Sequence, residues 1–202
     1  MSVAAILLTG GAARRLGTDK ATLELDGERL VDRMVGVVTA VADPVVEVGT
    51  GASGLVAVRE DPPGAGPLAA FAAGLAALAD RGVTDGGVLL VAVDQPGLTP
   101  GLLALVRDHP ADGAVVPMAA GRRQSLAARY PAGVRPVVET LLAAGERSLR
   151  ALLERIPVTE LDESAWLSVA GVDAFADLDQ PADLARTGWH PPAGPGAAPT
   201  RR

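Results

Sequence analysis

The sequence predicts an α/β fold with a largely parallel central sheet covered by helices on both sides. Three observations predict it. Short aliphatic runs alternate with Ala- and Leu-rich stretches at helical spacing along the 202 residues, as in successive strand–helix–strand units. The run Val88 to Val93 is continuously apolar, as a strand covered on both faces must be. Hydrophobic residues make up 49% of the chain and aromatics only 2%, so the core is sizeable and built mainly of Ala, Val and Leu.

The elements follow in order. Val3, Ile6, Leu7 and Leu8 mark a first buried strand, ended by the Gly10-Gly11 turn. Asp32 to Val41 places Met34, Val35, Val38 and Val41 at helical spacing and stops near Pro44. Val45 to Val48 and Leu55 to Val58 are short β-branched runs bounded by Gly and Asp, hence strands. Gly66 to Ala79 reads as a helix after a Pro/Gly loop, Val88 to Val93 as a strand, and Pro100 to Asp108 as a helix. Ala114 to Met118 and Ser125 to Tyr130 are expected strands around a Gly121-Arg122 turn. Val134 to Ala144 and Ser148 to Arg155 read as helices, Val158 to Leu161 as a late strand, and Pro181 to Ala185 as a short terminal helix. Residues 1–186 are thus expected to form one domain. Residues 187–202, rich in Pro and Gly and poor in apolar side chains, are expected to be a disordered tail. His190 lies in that tail, which argues against a catalytic role for it.

Composition excludes several function classes. A net charge of -6 argues against a nucleic-acid binder, which carries a basic excess. No Cys is present, so there are neither disulfides nor thiolate metal sites. No apolar run approaches the ~18 residues that span a bilayer, and Met1 to Leu8 has no basic region ahead of its apolar residues. The expectation is a cytoplasmic protein without a membrane partner. Lys20 is the single lysine among 18 basic residues, and Asn is absent.

The loop from Leu7 to Lys20, LLTGGAARRLGTDK, carries most of the functional information. It leaves the first strand directly, and open α/β sheets bind ligands beyond the carboxyl ends of their strands. Paired glycines let backbone N–H groups approach an anion. Arg14, Arg15 and Lys20 concentrate positive charge within seven residues of an acidic chain, which points to a polyphosphate. The other reading of the loop is a surface turn with solvated arginines. Two familiar phosphate loops do not fit. Gly10-Gly11 followed by Gly17 is not Gly-x-Gly-x-x-Gly, and Thr18-Asp19 separates Gly17 from Lys20 where a Walker loop has none between.

The pattern Leu-x-Gly-Gly, Arg, Gly, Asp-Lys resembles the signature loop of the molybdenum cofactor guanylyltransferase family of nucleotidyltransferases. The resemblance implies a Rossmann-like three-layer sandwich of nucleotidyltransferase type. It implies that Leu8, Thr9, Gly10 and Gly11 lie near the guanosine and that Arg14 and Lys20 meet the phosphates. Thr9 stands where the family usually has Ala. Asp61, Gly66, Pro67 and Leu68 resemble the family's Asp…Gly-Pro-Leu segment, which contacts the nucleotide; a plain helix start with Pro in the first turn reads the same way. Asp94-Gln95-Pro96 closes the most apolar strand and resembles the family's Asp-x-Pro, which carries the Mg²⁺ ligand. Mg²⁺ takes oxygen ligands from one or two carboxylates and substrate phosphates, and Asp94 suits that role; otherwise it merely ends a strand.

Farther along, Gly121-Arg122-Arg123-Gln124-Ser125-Leu126 resembles the family's Gly-Arg-x-x-Pro-Leu hairpin beside the acceptor, with Ser125 replacing Pro. Arg122 and Arg123 then face an anionic pterin phosphate, or form a solvated hairpin tip. Asp177 and Asp179, which the resemblance places beside the acceptor, occupy the two Asn positions of the family's Asn-x-Asn-Thr-Pro-Glu-Asp-Leu. Asp lacks the donor pair that Asn offers.

The implied activity is Mg²⁺-dependent transfer of GMP from GTP to the terminal phosphate of molybdenum-bearing molybdopterin, with Arg14, Lys20 and Asp94 as catalytic residues. Molybdoenzymes or other cofactor-assembly proteins are the implied protein partners. Three other functions fit the residues: a CTP-dependent cytidylyltransferase of the same pterin, a guanylyltransferase for another phosphorylated small molecule, and a non-catalytic GTP-binding protein that delivers cofactor. The resemblance leans Gly10-Gly11 to guanine, since the family's GTP-using members carry Gly-Gly and its cytidylyl relatives Ala-Gly; a missing methyl leaves room for a purine.

Overall fold

The computed structural model describes residues 3–10 and 19–192. The strands are β1 (Ala4–Leu8), β2 (Glu24–Leu25), β3 (Glu28–Arg29), β4 (Val45–Val48), β5 (Val56–Val58), β6 (Gly87–Ala92), β7 (Ala114–Ala119), β8 (Arg122–Arg123), β9 (Ala127–Pro131) and β10 (Val158–Leu161). The helices are α1 (Leu30–Thr39), α2 (Pro67–Ala79), α3 (Pro100–Asp108), α4 (Arg135–Ala143), α5 (Leu149–Leu153), α6 (Glu163–Trp166) and α7 (Pro181–Thr187). Short 3₁₀ turns occupy Lys20–Thr22 and Ala132–Val134.

The main sheet runs β10-β7-β9-β6-β1-β4-β5, with β8 paired to β7. Strands β5, β4, β1 and β6 are parallel to one another, as are β7 and β10. Strand β9 runs antiparallel between β6 and β7. The expected largely parallel sheet with helices on both faces is therefore the observed architecture.

The period-two geometry of the strands divides the core. Ala5 and Leu7 of β1, with Leu89 and Val91 of β6, pack against α1 and α3. Ala4, Ile6 and Leu8, with Val88 and Leu90, pack on the other face against α2, α4 and α5. A strand buried on both faces has no room for alternation, which is why these runs read as continuously apolar.

Three differences from the expected elements have local causes. A small hairpin, β2–β3, precedes α1; Asp26 and Gly27 both have positive φ, 53° and 84°, as a two-residue Asp-Gly hairpin turn requires. Helix α6 is one turn long, with the Asp162 side chain accepting from Ala165 N, too short for a periodic signal. The third difference is at the carboxyl end.

The expected disordered tail begins too early. Helix α7 runs through Thr187, and Trp189 is only 3% exposed within the core that contains α1 and α3. His190 exchanges backbone hydrogen bonds with Glu24, 2.8 and 3.0 Å, beside the β2–β3 hairpin. One indole buries as much apolar area as several small residues, so a single Trp anchors a segment whose average composition is that of a coil. Residues 193–202 lie outside the described residues. Trp189→Ala is expected to cost about 3–5 kcal/mol of stability, read as a lowered midpoint in denaturant. A loss below about 0.5 kcal/mol, the scale of a neutral surface change, would show that this anchor is not part of the core.

Candidate functional site

The chain leaves β1 to build β4 and β5 on one side, then crosses back through α2 to place β6 on the other side of β1. This reversal opens a crevice beyond the carboxyl ends of β1 and β6, where open α/β sheets bind their ligands. A cleft of about 350 Å³ lies there. Leu8, Thr9 and Gly10 form one wall; Gly64, Gly66, Pro67 and Ala70 form the other; Asp19, Lys20 and Asp94 line the remainder.

The second wall is the amino end of α2. Gly66 caps this helix at φ 101°, and a Cβ there would come within 3.1 Å of the Arg147 carbonyl oxygen. Only glycine meets both demands. Pro67 then starts the helix with its φ already set. The thirteen-residue helix thus directs the positive end of its dipole into the cleft.

Lys20 and Asp94 meet inside the cleft. Lys20 sits in the turn after Asp19, whose side chain accepts from Ala21 N. Asp94 follows β6. Lys20 Nζ lies 2.8 Å from Asp94 Oδ2 and 2.6 Å from Asp179 Oδ1. Asp179 comes from the far end of the chain, and a hydrogen bond from Leu178 N to the Asp94 carbonyl oxygen, 2.9 Å, fixes its segment alongside. Burial pushes the Lys20 pKa down, but Asp94 and Asp179 outweigh it and hold the ammonium above the ordinary lysine value.

A larger pocket, about 680 Å³, adjoins the cleft; Leu126 lines both. Gln95, Arg122, Arg123, Trp166, Phe175 and Asp177 line this second space. Trp166 and Phe175 stack edge to face at 4.9 Å, and the indole Nε1 donates to the Met118 carbonyl. Gln95 is buried, and its Nε2 donates to Asp177 Oδ1 at 3.0 Å. Burial, with Asp94 and Asp179 nearby, raises the pKa of Asp177 above the ordinary carboxylate value. Arg123 pairs with Glu160 at 2.7 Å, and Arg122 is exposed at the tip of β8.

Tertiary structure therefore gathers Leu8, Thr9, Gly10, Lys20, Gly66, Pro67 and Asp94 around one cleft, and Arg122, Arg123 and Asp177 around its neighbour. Gly11 and Arg14 lie outside the described residues. Three positions differ from expectation. Leu68 is fully buried and packs in the core beneath α2 rather than facing the ligand, because the residue after Pro67 falls on the sheet side of the helix. Asp61 is exposed and outside the cleft lining, where its neighbour Glu60 stands instead, accepting from Gly64 N at 2.8 Å. Asp179, expected beside the acceptor, is ion-paired to Lys20.

Sequence reasoning missed Glu47. It is fully buried in mid-strand and accepts from Thr9 Oγ1, Gly51 N, Ala52 N, Ser53 N and Ser53 Oγ. The available signal was a lone acid inside the β-branched run VVEV. Among the described residues no group of three or more His, Cys, Asp or Glu is arranged around a metal position, and no helix is long and apolar enough to cross a membrane.

Comparison with known proteins places this geometry. The chain is 36% identical over 190 residues to a protein of Mycobacterium marinum named probable molybdenum cofactor guanylyltransferase, covering 90% of this chain and 94% of that one. In fold it is similar to the molybdopterin-guanine dinucleotide biosynthesis protein A of Archaeoglobus fulgidus, with a TM-score of 0.74 at 21% identity, over 91% of this chain and 95% of that one. It is also similar in fold to the 2-C-methyl-D-erythritol 4-phosphate cytidylyltransferase of Thermus thermophilus, with a TM-score of 0.64 at 18% identity, over 92% and 97% of the two chains. The sequence model of the MobA-like NTP transferase domain matches residues 5–162, a span that runs from β1 through β10 and holds Lys20 and Asp94, and it is to this family of nucleotidyltransferases that the chain belongs.

Proposed function

We propose that this enzyme transfers GMP from GTP to the terminal phosphate of a molybdenum-bearing molybdopterin and releases pyrophosphate. The observation that carries the reading is the pair of adjoining spaces: Lys20 and Asp94 line one, and Gln95, the residue after Asp94, lines the other. One is a narrow cleft at a helix amino end, suited to a nucleoside triphosphate. The other is a wider pocket with arginines at its rim and aromatic rings in its wall, suited to a planar, phosphate-bearing acceptor. The names of the Mycobacterium marinum and Archaeoglobus fulgidus proteins support the choice of guanine and pterin.

In this reading an oxygen of the acceptor phosphate attacks the α-phosphorus of GTP in line. The bond from the α-phosphorus to its bridging oxygen breaks, and pyrophosphate leaves with the electron pair. The attacking phosphate is already ionised at neutral pH, so the chain supplies no nucleophile and no general base. Its work is positioning and charge neutralisation. Lys20 leaves its carboxylates for the phosphates and stabilises the departing pyrophosphate, joined by Arg14. The amino end of α2 offers its dipole to the same anion. Arg122 and Arg123 hold the acceptor's phosphate.

The donor set suits Mg²⁺. Asp94 and Asp179 direct two carboxylates at one ammonium, so both already converge on a single cation, and carboxylate oxygen is the ligand a hard divalent ion takes. These two residues would hold the ion, which supplies charge neutralisation to the phosphoryl oxygens when bound.

The test is pyrophosphate release from GTP by the purified protein with molybdopterin and Mg²⁺, run against equimolar CTP. Release with GTP and incorporation of GMP into the pterin are expected. Preferential use of CTP would move the enzyme to cytidylyl transfer. GTP binding without pyrophosphate release would make it a delivery protein.

A further inference from the structure

Position 47 breaks the pattern of its strand. Glu47 pairs in register with Leu7 of β1 and Ala57 of β5, and it is fully buried. An aliphatic residue there would complete an ordinary β-branched run, whereas a buried carboxylate is costly unless its oxygens are bonded. Among the described residues its donors come from two segments. Oε1 accepts from Thr9 Oγ1, from Gly51 N at 2.7 Å and from Ala52 N at 3.1 Å. Oε2 accepts from Ser53 N at 2.9 Å and from Ser53 Oγ. Burial pushes the Glu47 pKa up, but these bonds outweigh it and hold the carboxyl below its ordinary value. Glu47 thus stays charged and forms strong, charge-assisted bonds.

Among the described residues Thr9 is the one donor that does not belong to the loop after β4. It is itself buried, and it and Gly10 line the nucleotide cleft. Thr9 N and Gly10 N both donate to the Val48 carbonyl oxygen, at 3.1 and 3.3 Å. The hydroxyl reaches Glu47 by crossing Gly49: a Cβ at position 49 would lie 2.0 Å from Thr9 Oγ1. Gly49 is held in turn by Arg59 Nε on its carbonyl, 3.0 Å, and by its own N–H on Val58 O, 2.9 Å. The exit of β1, where the glycine loop begins, is therefore fastened to β4 by two backbone bonds and one side-chain bond to a buried charge.

We propose that Glu47 is a positioning residue which, through Thr9, sets where the glycine loop starts and so shapes the nucleoside end of the nucleotide cleft. The inference rests on the nucleotide reading of that cleft. It separates the two ends of the ligand: Lys20 grips phosphate, and the Glu47–Thr9 pair orders the wall facing the nucleoside.

Calorimetric titration of Thr9→Val, Thr9→Ser and Glu47→Gln with GTP and, separately, with inorganic pyrophosphate tests it. Thr9→Val keeps shape, loses the hydroxyl and leaves four of the donors to Glu47 in place, so it stays folded even if Glu47→Gln does not. It should bind GTP more weakly by on the order of tenfold while binding pyrophosphate as the wild type does. Thr9→Ser should retain wild-type affinity for both. Where Glu47→Gln folds, adding Thr9→Val to it should cost less GTP affinity than Thr9→Val costs alone, since the neutral amide oxygen accepts a weaker bond from Thr9 than the carboxylate does. Unchanged GTP affinity in Thr9→Val, or equal loss for GTP and pyrophosphate, overturns the proposal. Wild-type protein that binds pyrophosphate but not GTP would instead sink the nucleotide reading, a result distinct from either.

Discussion

Asp94→Ala is expected to lower the rate of nucleotidyl transfer by roughly 10³-fold or more, at the upper end of single electrostatic deletions in active sites. Asp94 stands just beyond the end of the central strand β6 and lines the smaller pocket, and one of its carboxylate oxygens faces Lys20. Its removal takes away half of the carboxylate pair that converges on one cation. It also leaves Lys20 anchored by Asp179 alone. The stability cost is small by comparison, because the side chain belongs to no hydrophobic cluster. The check is a single-turnover measurement with GTP and acceptor at several Mg²⁺ concentrations, alongside a melting curve. Activity within tenfold of wild type would remove Asp94 from the reacting centre.

Lys20→Ala carries the second largest effect, a loss of about 10²-fold in the transfer rate. The ammonium is bound to two carboxylates, yet 17% of its side chain stays exposed to the cleft, so it can turn toward a phosphate when one arrives. The exchange is favourable because a polyphosphate brings more negative charge than the carboxylates it replaces, and because ligand binding displaces water. Lys20→Arg should recover only part of the rate, since a planar guanidinium does not reproduce the compact point charge of an ammonium. Loss below tenfold in Lys20→Ala would mean that the ion triad is structural and that phosphate neutralisation comes from elsewhere.

The fold was legible where burial imposes a simple pattern. Strands β1 and β6 are covered on both faces, so their residues are all apolar, and the resulting runs stand out. Pro67 and Pro100 open α2 and α3, and their fixed φ marks those helix starts in any context. The hairpin β2–β3 and the one-turn helix α6 escaped because two to four residues are too few for a period to show. Trp189 escaped for another reason: composition is an average, and one large side chain fills a core site that averages cannot see.

The site divides along the same line. Glycines and charges beyond the first strand, and an acid closing the most apolar strand, point to a polyphosphate crevice from sequence alone, because strand ends and glycine turns are local features. The direction of a side chain is not. Leu68 follows Gly66-Pro67 in sequence yet turns into the core, since helical geometry sends the residue after Pro67 toward the sheet. Asp179 lies 159 positions from Lys20 yet touches it, since a backbone bond from Leu178 to Asp94 closes the last segment onto the carboxyl end of the sheet's central strand. Glu47 gave a sequence signal only as an anomaly, one charge among valines; its meaning needed the five donors that folding brings around it.

The sequence by itself determined the α/β class, the strand order in time along the chain and the gathering of glycines and charges beyond the first strand, because these depend on periodicity, turn residues and charge within a few positions of one another. Only the tertiary structure decided that Lys20 joins Asp94 to Asp179, that Trp189 closes the core and that a buried carboxylate at position 47 holds the mouth of the glycine loop. Each of those contacts joins residues far apart in the chain, and their free energy depends on burial and on hydrogen-bond geometry, which exist only once the sheet has formed.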